Sequence, residues 1–135
     1  MNKLVGEINK ITSHEGISLV SIQTKQATLS TVLLDTPESC SYLQIGKKIT
    51  VVFKETEVAI ALPNLGSISL ANQIECKINS VDNGKVLAKI SLTCRGENII
   101  SIITTNSSKR LGLKDGLEVI ALVKANEISL IDEEN

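Results

Sequence analysis

The stretch Val86-Leu87-Ala88-Lys89-Ile90-Ser91-Leu92 puts Val86, Ala88, Ile90 and Leu92 on one side of an extended chain and Lys89 and Ser91 on the other. Successive side chains of a strand point to opposite faces, so this period of two predicts a half-buried β-strand. Turn-forming residues flank it, Asp82-Asn83-Gly84 before and Arg95-Gly96-Glu97 after. Strands near residues 73–81, 86–93 and 98–104 are therefore expected to join as an antiparallel meander. Residues 117–124 and 126–131 read as two more strands. Between the third and fourth, Asn106-Ser107-Ser108-Lys109-Arg110-Leu111 reads as a single helical turn, with Asn106 or Ser107 accepting from its first free N–H groups. Five short strands with one helical turn before the fourth predict a small barrel like the five-stranded oligonucleotide-binding (OB) fold.

Composition points the same way. Hydrophobic residues make up 42% of the chain and aromatics 1%, so the core is built from Ile, Val, Leu and Ala, of which the β-branched members favour pleated surfaces. Ile99-Ile100-Ser101-Ile102-Ile103 and the run from Leu117 to Val123 are apolar on both faces. A lone barrel with one wet face does not need that. In a chain this short, the expected cover is another module or another subunit.

The barrel pattern occurs twice. A shift of 70 positions lays Asn2 on Asn72, Ile8-Asn9 on Ile78-Asn79, Ser21 on Ser91, Leu43 on Leu113, Gly46 on Gly116, Lys54 on Lys124 and Glu57 on Glu127 without a gap. Apolar positions between them match as well, Val20 with Ile90 and Ile49 with Val119 among them. Internal repetition decides architecture. The expectation is an all-β chain of two tandem OB-like barrels, residues 1–62 and 72–135, joined by a linker at 63–71.

Several function classes are disfavoured. Lys and Arg total 14 against 15 Asp and Glu, a formal charge of −1, which leaves no basic excess to neutralise nucleic-acid phosphates. Tyr42 and Phe53 are the only aromatics on which bases could stack. The N-terminus carries no signal-peptide apolar block and the chain no run of about 18 apolar residues, so a cytoplasmic protein without membrane contact is expected. Cys40, Cys76 and Cys94 are odd in number and widely spaced. That argues against a disulfide framework and a zinc site, leaving reduced, packed thiols as the expectation. No phosphate loop, fixed carboxylate pair or nucleophile with its base can be read, so the chain is expected to bind rather than to catalyse.

Four segments resemble a known module: Asn72-Gln73-Ile74; Ile103-Thr104-Thr105-Asn106-Ser107-Ser108-Lys109-Arg110-Leu111-Gly112-Leu113; Gly116-Leu117-Glu118-Val119; and Leu122-Val123-Lys124-Ala125. They are similar to the Mop, or TOBE, module of molbindins, of the molybdate-responsive repressor and of molybdate transporter ATPases. The resemblance covers nearly all of residues 69–131, and the first half matches more loosely. It implies molybdate or tungstate held at module interfaces by backbone N–H groups, hydroxyls and a lysine, in a homo-oligomer, a trimer of tandem chains. The physics agrees: these are tetrahedral dianions without a proton at neutral pH, so a cage of donors alone suits all four oxygens. The implied role is storage or homeostasis of the oxyanion. The alternative is a sensing or assembly domain acting on a repressor or transporter ATPase.

Carried over position by position, the resemblance implies Thr104, Ser107 and Lys124 as anion contacts, Ala125 as a backbone donor and Arg110 as a further candidate. Upstream, Ser69-Leu70-Ala71-Asn72 keeps Ser69 and Asn72 of the family's Ser-x-Arg-Asn pattern and has Ala71 in place of the arginine. In the first module the threonine position is Leu34 and the serine position is Pro37; Lys54, with Glu55 as the next backbone donor, is what survives. The residues alone allow a plainer reading, in which Thr104 and Ser107 cap the helical turn and Lys54, Lys124 and Arg110 are solvated charges.

Overall fold

A computed structural model describes residues 1–133. In chain order these form β1 (Asn2–His14), β2 (Ile17–Thr24), β3 (Thr28–Leu33), β4 (Lys48–Phe53), a 3₁₀ turn at Glu55–Glu57 and β5 (Ala59–Ala61). The second half repeats this with β6 (Asn72–Asn83), β7 (Leu87–Cys94), β8 (Glu97–Thr104), the helix α1 (Thr105–Arg110), β9 (Glu118–Val123), a 3₁₀ turn at Ala125–Glu127 and β10 (Ser129–Ile131). The expected all-β architecture is what folds: two five-stranded sheets, each a meander of three consecutive strands with two further strands beside it.

The alternation that predicted β7 holds. Ala88, Ile90 and Leu92 have no exposed surface, while Val86 precedes the strand and is exposed, its carbonyl accepting from Thr105 N at 2.9 Å. Arg95-Gly96 forms the two-residue turn between β7 and β8, with φ of 47° and 88°. Left-handed conformations at both positions match the twist of the flanking strands. Asp82 and Asn83 finish β6 instead of turning, and the chain reverses from Gly84 onward. A Cβ at Gly84 would stand 2.6 Å from Leu87 O, so a larger residue does not fit.

The sheets do not follow the sequence repeat. Their orders are β10-β4-β1-β2-β3 and β5-β9-β6-β7-β8, so each half hands its last strand to the other half's sheet. Ala59, Ile60 and Ala61 pair with Leu122, Ala121 and Ile120, and Ser129, Leu130 and Ile131 pair with Val52, Val51 and Thr50. Buried hydroxyls fasten the exchange: Thr31 Oγ1 donates to Ile128 O at 2.7 Å, and Ser101 Oγ donates to Val58 O at 2.6 Å. The 70-residue shift carries Thr31 onto Ser101 and Val58 onto Ile128, so the junction has a pseudo-two-fold arrangement. One continuous apolar core runs through both halves and includes Phe53, Val58, Ile60, Val123 and Ile128. The other half of the same chain thus supplies part of the cover that the doubly apolar strands need.

One expectation is overturned. Cys76 and Cys94 form a disulfide with their Cα atoms 4.5 Å apart. Spacing along the sequence hides the pair because the β6–β7 ladder, with Lys77 opposite Thr93, brings the next rung together. Cys40 remains a free, half-buried thiol. Among the described residues, no helix is long and apolar enough to cross a membrane.

Candidate anion site

Thr104 ends β8 and caps α1. Its Oγ1 accepts from Ser107 N at 3.1 Å, which moves the helix start ahead of the Asn106 or Ser107 cap expected from sequence. The same hydroxyl donates to Ser107 Oγ at 3.0 Å, and Arg110 donates to that Oγ at 3.3 Å. Thr104, Ser107 and Arg110 therefore form one cluster in which hydroxyls and a guanidinium meet without a carboxylate; the first turn of α1 contains no acidic residue. A residue the sequence reading passed over holds this cluster in place. Thr105 is buried, donates through Oγ1 to Gly84 O at 2.8 Å and through N to Val86 O at 2.9 Å, and so pins the helix start to the β6–β7 turn.

Lys124 and Ala125 lie elsewhere. Val123 pairs with Asn72, so Lys124, Ala125 and the approach through Ser69 and Ala71 share one end of the sheet. Thr104 pairs with Leu87, and Ala88 pairs with Asn83 at the other end of β6. The 12 residues of β6 separate the two groups by a path of roughly 35 Å along the strand. Within one chain, the hydroxyl cluster and Lys124 do not meet.

Asn72 has a different task from the one the resemblance implies. It has no exposed surface, its Oδ1 accepts from Ser30 N at 2.7 Å and its Nδ2 donates to Ser30 O at 2.9 Å. Asn2 does the same to Ile100, at 2.8 Å in both directions. Each asparagine acts as a short mock strand on the other half's edge, and its amide is committed to the junction.

Lys54 sits at that junction too. It is exposed and borders a cleft of about 200 Å³ whose far wall includes Asn126, Glu127 and Ser129. Beside it, the Met1 ammonium pairs with Glu55 and holds that carboxyl below the usual carboxylate range. The loop that matches the hydroxyl cluster in the first half has the opposite character. It contains Asp35 and Glu38, and the Glu38 backbone amide and then the Thr36 hydroxyl keep the Glu38 carboxyl ionised below its ordinary range. Leu34, in the threonine's place, is 84% exposed. A separate groove of about 410 Å³ runs along β6 and β9 between Lys77, Arg95 and Glu118; none of the sequence-predicted anion contacts lines it.

The fold and this cluster define the class of protein, a tandem of strand-exchanged five-stranded β-modules with hydroxyls and a guanidinium gathered at the helix start of the second repeat. The TOBE domain family matches residues 68–130. Molybdenum-pterin-binding protein 2 of Clostridium pasteurianum is 38% identical over 66 residues, which are 48% of this chain and 97% of that protein. The molybdenum import ATP-binding protein ModC of Rhizobium johnstonii is 33% identical over 105 residues, 71% of this chain and 28% of the transporter subunit. The solved structure of the cytoplasmic molybdate-binding protein ModG, with molybdate bound, superposes with a TM-score of 0.88 at 26% identity, covering 96% of this chain and 94% of that one. The chain belongs to the Mop/TOBE family.

Proposed function

We propose that the chain binds molybdate or tungstate for storage or homeostasis in the cytoplasm, without catalysis, at sites completed between neighbouring copies. The observation that carries this reading is the hydroxyl and guanidinium cluster of Thr104, Ser107 and Arg110 without a carboxylate. A fully deprotonated tetrahedral dianion accepts from such donors on all four oxygens, whereas the O–H of a partly protonated phosphate finds no carboxylate here to receive it. Sulfate has the same charge, so rejecting it falls to the size of the site that two copies complete. Similarity to molybdenum-pterin-binding proteins and to ModG supports the same ligand class.

Because Lys124, Ala125 and Ser69 stand at the opposite end of the sheet from the hydroxyl cluster, a site using both groups takes one from each of two copies. A trimer of tandem chains satisfies this, with repeat units at 1–62 and 72–135 and the linker at 63–71. Lys54, which borders the junction cleft beside Glu57 and Glu127, and the backbone N–H of the next residue, Glu55, would supply a second, weaker class of site.

The test is thermal unfolding with molybdate, tungstate, sulfate and phosphate at equal concentration, combined with native mass spectrometry. A ligand that binds only the folded state raises its melting temperature by mass action. The expected result is a large rise for molybdate and tungstate, little for the other two, and anions retained on an oligomer. Equal shifts for all four anions would reduce the reading to nonspecific anion binding.

A further inference from the structure

We propose that Cys76 and Cys94 are a reversible oxidation site, a dithiol pair that small-molecule disulfides of the glutathione class convert into a staple confined to the second module. The two residues face each other across β6 and β7, one rung beyond Lys77 and Thr93, with Cα atoms 4.5 Å apart. That separation is within the range a disulfide spans without backbone movement. The fold does not require sulfur there. The 70-residue shift places Gly6 and Thr24 at the same rung of the first module, where they pair directly. A Cβ at Gly6 would stand 2.6 Å from Gln23 O, so the first module has no room for the same device.

The reaction is thiol–disulfide exchange. One cysteine thiolate attacks a sulfur of the external disulfide, whose S–S bond breaks and releases one small thiol. The second cysteine attacks the mixed disulfide, the Cys76–Cys94 bond forms and the second small thiol leaves. Two protein thiols are oxidised, one small disulfide is reduced, and the two thiol protons end on the departing thiols. Cys94 has no exposed surface and Cys76 is 7% exposed, so exchange starts at Cys76 and needs the hairpin to open. The staple is therefore slow to change in the folded protein. In a reducing compartment the pair is held as thiols and closes when the thiol pool is oxidised. The β6–β7 hairpin lies between β9, which leads to Lys124, and β8, which leads to Thr104. Closing it stiffens that half and leaves the first unchanged.

The experiment uses the full chain carrying Cys40→Ala, equilibrated in oxidised or in reduced glutathione, and reads intact mass, thiol alkylation and melting temperature. The oxidised sample is expected to be about 2 Da lighter and to resist alkylation at both cysteines. It is expected to melt roughly 10 °C higher, as suits a cross-link closing a loop of this size. Cys76→Gly with Cys94→Thr installs the first module's rung and is expected to fold, by circular dichroism, and to melt at one temperature in both buffers. Full alkylation of both cysteines in oxidised glutathione, a glutathione adduct in place of the lost hydrogens, or equal melting temperatures would each overturn the proposal. None of these readouts depends on an oxyanion.

Discussion

Asn72 grips Ser30 by both of its backbone groups, at 2.7 Å and 2.9 Å, from the opposite half of the chain. An unpaired N–H or C=O buried at a junction costs about 1–3 kcal/mol, more than the net worth of a bond exchanged with water. Asn72→Ala strips Ser30 of both partners at once and is expected to destabilise the chain by about 2–4 kcal/mol, measured by urea unfolding. Asn2→Ala, which frees Ile100 in the same way, should cost a similar amount. A loss under about 1 kcal/mol in both variants would mean that water reaches the junction and the grip is dispensable.

Ser108 presents the opposite case. It is 1% exposed on α1, and its hydroxyl has no hydrogen-bond partner among the described residues. Removing an unsatisfied buried hydroxyl removes its desolvation penalty, so Ser108→Ala is expected to stabilise the chain by roughly 1 kcal/mol. Denaturant unfolding checks the sign, and a destabilised variant would show that the hydroxyl has a partner in solution.

Tyr42 reports on the fold through its titration. Burial first, then the side chain of Cys40, and then the charges of Cys40, Asp35 and Asp132 push its phenol up to about 12. A group whose folded value is raised contributes stability that is fully present below its ordinary value near 10 and is lost as pH rises from there through about 12. The chain has one Tyr and no Trp, so phenolate absorbance follows this group alone. The native midpoint is expected near 12, the midpoint in urea near 10, and Tyr42→Phe should flatten the alkaline loss. A native midpoint equal to the urea value would show that the phenol is solvated.

Legibility from sequence followed the range of the interactions. The period of two in β7 and the turn residues Arg95-Gly96 are local signals and mark the meander directly. The strand exchange was not readable, because a 70-residue repeat fixes what Ala59–Ala61 and Ser129–Ile131 are and not which copy they join. The Cys76–Cys94 pair depends on hairpin register, which spacing does not carry. The linked positions of Thr104, Ser107 and Arg110 are helix neighbours and could be grouped in advance. Asn72 could not, since its partner Ser30 is set by the junction. At the end of the described chain Lys47 pairs with Asp132 at 3.4 Å and Thr50 donates to the exposed Glu133 at 3.3 Å, contacts that depend on β10 joining the other half's sheet.

The two halves should differ as anion sites. The second half keeps Thr104 and Ser107 beside Arg110, and the first has Leu34, Pro37 and two carboxylates, Asp35 and Glu38, in the matching loop. Hydrogen bonds to a charged partner contribute roughly 1.5–3 kcal/mol each, so losing one hydroxyl donor weakens a site about tenfold or more. An ionised Glu38 adds repulsion of the same sign. Lys124→Ala or Ser107→Ala is therefore expected to abolish the tightest molybdate sites seen by calorimetry, and Lys54→Ala to remove fewer or weaker ones. Sites shared between copies complicate the count, because Lys54 of one copy could complete a site whose hydroxyls come from another. Mixing Lys124→Ala with Ser107→Ala chains separates these cases: if each site takes Lys124 and Ser107 from different copies, some mixed oligomers regain an intact site and part of the tight stoichiometry returns. Full, unweakened binding in the Lys124→Ala and Ser107→Ala proteins, together with loss in Lys54→Ala, would reverse the assignment and make the first half the principal site.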